Sequence, residues 1–102
     1  MSADPTLVKG EPIDQLVRRL VADVLVVPLG QVTMDSALIA HLGAESIDFL
    51  DLVFQLEESL DQRIPFTSWQ RFLTERFGTG DLSQRITPEV VRDFALLEAH
   101  RP

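Results

Sequence analysis

The side chain with the clearest chemical use is Ser46, set in the run Gly43-Ala44-Glu45-Ser46-Ile47-Asp48. A serine hydroxyl works as a hydrolytic nucleophile only beside a base and an oxyanion hole. His41 lies five residues upstream, but the run has no Gly-x-Ser-x-Gly elbow. A serine that opens a helix also serves as an ordinary N-cap. From Ser46 the third residue on is Phe49, so no Glu or Gln completes a capping box with it. Capping explains the serine but not the pattern of residues 47–60.

Other chemistries are thinly represented. The chain has no cysteine, which excludes disulfides, thiolate metal sites and cysteine nucleophiles. His41 and His100 are too few for a histidine-rich zinc site. Asp48, Asp51, Glu57 and Glu58 lack the ligand spacing and central glycine of an EF-hand. The net charge of −7 argues against nucleic acid, whose phosphates call for clustered Lys and Arg. The charge is unevenly spread. No Lys or Arg lies between Arg19 and Arg63, where eight acids fall, whereas from Arg63 onward six arginines meet five acids. A field of that sign steers basic partners, or it serves only as a solvated acidic face.

The helix that must present Ser46 is expected at 46–60. Its apolar residues fall on two sectors when stepped at helical pitch. Phe49, Leu52, Val53, Leu56 and Leu60 make a core stripe, and Ile47, Leu50 and Phe54 make a second patch with Glu57 between the two. A core helix needs no second patch, and an apolar patch beside acids suggests a docking surface.

Around it, 102 residues are read as one domain over 11–98, with a flexible 1–10 and a frayed 99–102. Ile13, Leu16, Val17, Leu20, Val21, Val24 and Val27 predict a first helix over about 12–26, stopped by Pro28. Residues 28–45 form a long loop pinned by Val32, Leu38, Leu42 and Ile39, with Asp35-Ser36 capping a turn over 37–41. Asp61-Gln62 closes the second helix, and Arg63-Ile64-Pro65-Phe66 is extended. Thr67 or Ser68 caps a helix that uses Trp69, Phe72, Leu73 and Phe77 as core and ends at Gly78-Thr79-Gly80. A short helix or turn at 81–86 precedes a last helix, capped by Thr87, with Pro88 first and Val90, Val91, Phe94 and Leu97 inward. The fold class is all-α, a helical bundle with no convincing strand. The chain opens without a basic segment and apolar run, and no stretch has the length of a membrane span, so a cytoplasmic protein without membrane insertion is expected.

Gly43-Ala44-Glu45-Ser46-Ile47-Asp48, the long loop ending in Leu42-Gly43, and Ile64-Pro65 together resemble the acyl carrier protein family. The resemblance implies a four-helix bundle with an extra helical segment before the last helix. It implies 4′-phosphopantetheine, taken from coenzyme A by a phosphopantetheinyl transferase and attached to Ser46, with Glu45, Ile47 and Asp48 around the attachment. The family usually has Asp before the serine, and Glu45 keeps that charge one methylene longer. A phosphate suits this place, because a helix start offers free N–H groups and the positive end of the dipole. With no cysteine in the chain, the thiol that holds an acyl thioester must come from that cofactor. Leu50, Asp51, Phe54, Glu57 and Glu58 would dock acyl-loading, chain-elongating and acyltransferase enzymes that carry basic patches. The acyl chain would shelter in a core lined by the first, second and last helices, with 67–77 enlarging or gating it. The protein would be a monomeric carrier and not an enzyme. The run Ser46 to Phe54, Ile64-Pro65 and Trp69 resembles in particular the specialised carriers of very-long-chain acyl groups for lipid A. Carriers of amino acids or polyketide units, and an unmodified acidic interaction domain of the same fold, are the alternatives.

Overall fold

Ile13, Leu16, Val17, Leu20 and Val21 recur at three- and four-residue spacing, and all five are buried on one stripe of α1 (Ile13–Leu25). That stripe is the centre of the molecule. The computed structural model describes residues 7–101, and within it α1 packs on both α2 (Ser46–Leu60) and α4 (Pro88–Ala99). Helix α3 (Phe66–Phe77) lies against α2. The chain is thus a bundle of four helices among the described residues.

Trp69 ties α3 into the core. Its ring lies 5.9 Å from Phe49 of α2, 6.1 Å from Phe72 of α3 and 5.2 Å from Phe94 of α4. Such pairs contribute about 0.5–1.5 kcal/mol each beyond the area they bury. Arg76 adds a surface link to α4 by pairing with Asp93 at 2.6 Å.

The long loop behaves as its apolar residues suggest. Val32 and Leu38 are fully buried, and Ile39 and Leu42 are half-buried against the core. Arg18 on α1 fastens it, donating from Nε to the Val32 carbonyl at 2.7 Å and from its terminal amino group to Leu29 at 3.2 Å. A 3-10 turn at Leu29–Gln31 begins the loop. The Ser36 hydroxyl accepts from the Thr33 N–H, so it reaches back instead of capping 37–41.

Several sequence expectations need correcting. Leu7–Val8 (β1) and Glu11–Pro12 (β2) pair as a short antiparallel hairpin, where the sequence shows no convincing strand. Its turn residues Lys9 and Gly10 both have positive φ, the geometry of a tight hairpin turn. The expected flexible segment 1–10 can be followed only from Leu7, because residues 1–6 lie outside the described residues. Pro65, not Thr67 or Ser68, occupies the N-cap of α3, and no side chain caps it. Of the short helix or turn expected at 81–86, residues 83–85 form the turn. On α4, Leu97 points outward at 60% exposed, and Ala95 and Glu98 take the inward places. Glu98 is tolerated there because Arg101 pairs with it at 2.7 Å. The Arg101 N–H also bonds to the Glu98 carbonyl, and the last residue of the segment 99–102, Pro102, lies outside the described residues. Thr87 caps α4 as expected, its hydroxyl accepting from Val90 at 3.3 Å.

Candidate functional site

Helix α2 begins at Ser46, but Ser46 is not its cap. Glu45 has extended backbone angles (φ −113, ψ 170) and occupies the N-cap. The Glu45 N–H donates to Asp48 Oδ2 at 2.8 Å, and the Asp48 N–H returns to the Glu45 carbonyl at 3.0 Å. The Asp48 side chain thus makes the return bond of a capping box to Glu45 as the N-cap, one residue earlier than a reading from Ser46 would place it. Asp48 also lays a negative charge on the positive end of the helix. With capping done by others, Ser46 sits exposed in the first helical position.

The approach to Ser46 is equally defined. Gly43 adopts φ +75, a conformation that side chains other than glycine rarely take. The Ala44 N–H bonds back to Leu38, and His41 Nδ1 accepts from the Ala37 N–H at 3.1 Å. His41 is thus a loop-folding residue, not a base beside the serine. Two further bonds, Leu38 N–H to Ile86 and Ala40 N–H to Ser83, dock this loop on the α3–α4 connection.

Ser46 lies on the rim of a groove of about 310 Å³ between α2 and α3. Phe49 and Leu50 form one wall, Phe66, Trp69 and Leu73 the other, and Ile86 closes one side. Between α1, the loop and α2, the hollow bounded by Val21, Leu38 and Leu52 amounts to only about 10 Å³. The space next to the serine is therefore walled by α2 and α3.

The two apolar sectors of α2 separate as expected. Phe49, Leu52, Val53 and Leu56 are buried, while Ile47 is 64% exposed, Leu50 46% and Phe54 55%. Asp51 and Glu58 are exposed beside that patch. Glu57 differs: it is half-buried, and its Oε2 accepts from the Ile64 N–H at 2.7 Å. It fastens the end of α2 to the turn before α3. The Arg18 clasp and the Glu57 bond to Ile64 are invisible in the sequence. Both join residues of different elements with no local pattern to announce them.

An exposed hydroxyl at a helix start, beside an apolar groove and an apolar-acidic helix face, can receive a phosphodiester and shelter part of what hangs from it. No group of His, Asp and Glu able to hold a metal ion occurs among the described residues. No described helix is long and apolar enough to cross a membrane.

These features define a phosphopantetheine-bearing carrier. Residues 15–69 match the family described as "Phosphopantetheine attachment site". Three curated proteins named "Acyl carrier protein", from Clostridium perfringens strains SM101, ATCC 13124 and 13, are each 37% identical over 70 residues. The similarity covers 69% of this chain and 87% of each relative. The chain belongs to the acyl carrier protein family. It is a carrier and not an enzyme, and its cofactor is covalently attached 4′-phosphopantetheine.

Proposed function

We propose that Ser46 is the residue that bears 4′-phosphopantetheine. The observation that carries this reading is the division of labour at the start of α2: Glu45 and Asp48 cap the helix, and the serine hydroxyl is left exposed on the rim of the groove. When attached, the group supplies a terminal thiol that holds an acyl chain as a thioester. The first N–H groups of α2 favour the phosphate, and Gly43 holds the loop back from it. Ile47 and Glu45 flank the attachment on the solvent side, and Asp48 fixes the helix beneath it.

The Phe49, Trp69 and Leu73 walls support the groove as shelter for the first part of an acyl chain. Ile47, Leu50, Phe54, Asp51 and Glu58 support docking of a phosphopantetheinyl transferase and of acyl-loading, elongating and acyltransferase enzymes with basic patches. Glu57 belongs at the margin of that surface, since its carboxylate is engaged by Ile64. For the cargo we infer a fatty acyl chain used in the cytoplasm. Delivery to lipid A is the finer reading, supported by the run from Ser46 to Phe54, Ile64-Pro65 and Trp69.

Mass spectrometry of the protein recovered from its native cells tests both parts. The peptide that contains Ser46 is expected to carry phosphopantetheine with a long acyl group. An unmodified peptide, or modification elsewhere, would overturn the attachment. An aminoacyl or polyketide mass would overturn the cargo.

A further inference from the structure

The hairpin at Leu7–Pro12 is an element that the carrier reading does not use. It is firmly seated. Glu11 on β2 pairs with Arg19 of α1 through two bonds, at 2.8 and 3.2 Å, and Val8 packs partly on the core. The hairpin stands beside the C-terminal half of α2. A hollow of about 270 Å³ there is lined by Val8, Lys9 and Glu11 on one side and by Gln55, Glu58 and Ser59 on the other.

This placement alters the charge of the docking face. Along the chain no Lys or Arg falls between Arg19 and Arg63. In space, Lys9 is brought to the rim it shares with Glu58, and both side chains are exposed. Charges so placed influence each other through solvent within a Debye length of about 8–10 Å. The exposed apolar patch of α2 also stops at Phe54, one turn before Glu58.

We propose that the hairpin is a positively charged border of the partner-docking face, and that Lys9 offsets Glu58 there. This rests on the reading of α2 as the docking helix. The face that partners meet is then strongest over Glu45, Ile47, Leu50, Asp51 and Phe54, and weakened at Glu58, where Lys9 lies beside it. The partner that fits is a protein with basic groups over Glu45 and Asp51, apolar contact at Leu50 and Phe54, and an acidic group, or none, opposite Lys9. A partner's basic group gains less over Glu58 than over Asp51.

The test is the steady-state kinetics of a broad-specificity phosphopantetheinyl transferase with coenzyme A, at low ionic strength, using the full chain as acceptor. Lys9→Asn suits the positive φ of the turn, and Lys9→Arg keeps the charge. Lys9→Asn is expected to lower KM for the carrier about threefold, and Lys9→Arg to leave it unchanged. Glu58→Gln should have little effect alone but raise KM about threefold in the Lys9→Asn background. Asp51→Lys serves as the control for docking itself and should raise KM in every background. If Asp51→Lys raises KM while Lys9→Asn does nothing, the hairpin proposal is overturned and the docking helix stands. If Asp51→Lys also does nothing, the docking reading falls and takes this proposal with it.

Discussion

Asp48 Oδ2 accepts the Glu45 N–H at 2.8 Å, and that bond makes Glu45, not Ser46, the cap of α2. An acid three residues after the cap, rather than the serine itself, fixes where the helix starts. Asp48→Ala should therefore cost about 1 kcal/mol of stability, with Asp48→Asn keeping much of it, as read from denaturant midpoints. Ser46→Ala should be close to neutral in the same measurement. A large loss from Ser46→Ala would return the capping role to the serine.

Glu57 marks the limit of the docking surface. Its carboxylate holds the Ile64 N–H at 2.7 Å, so its removal leaves that donor without its partner. Glu57→Ala is expected to cost about 1.5–3 kcal/mol in stability while changing the transferase KM less than Asp51→Ala does. Equal stability with a raised KM would place Glu57 back among the partner contacts.

Much of this arrangement is legible in the sequence, and the reasons differ from place to place. Helix α2 can be read residue by residue because its two apolar sectors, its glycine approach and its Asp61 stop are all local. The C-terminal face of α4 cannot be. Val90, Val91 and Phe94 are buried as their spacing implies, but beyond them periodicity alone does not choose between Leu97 and Glu98, and it is Glu98, paired with Arg101, that turns inward. The hairpin is hidden because two-residue strands carry no period; its one signal is Lys9-Gly10 as a turn pair. The groove between α2 and α3 is not legible because Trp69 and Leu73 read as core, and a wall of a groove has the same composition as a core.

Val26 shows strain that sequence patterning does not reveal. It ends α1 with φ +55, an uncommon conformation for a β-branched residue, and its side chain is 86% exposed. Little packing is lost when that side chain is removed. Val26→Gly should stabilise the protein by about 1 kcal/mol, seen as a higher denaturant midpoint. Destabilisation would mean that the exposed valine makes contacts worth more than the strain.

The hairpin should depend on pH. The hydrogen bond from Arg19 holds the Glu11 carboxyl below its ordinary range in the folded state. A lowered carboxyl stabilises the fold above its unfolded value, and the contribution fades as pH falls through the lowered folded one. Hairpin amides should thus lose protection against hydrogen exchange on acidification through the carboxylate range, and Glu11→Gln should remove that dependence. Protection that stays constant across this range would show that the Val8 packing alone seats the hairpin.

Intact mass measures most directly whether Ser46 receives the prosthetic arm. Incubation of the protein with coenzyme A and a broad-specificity phosphopantetheinyl transferase should add a single phosphopantetheine to the wild type and none to Ser46→Ala. No addition to the wild type, or addition that persists in Ser46→Ala, would contradict that assignment.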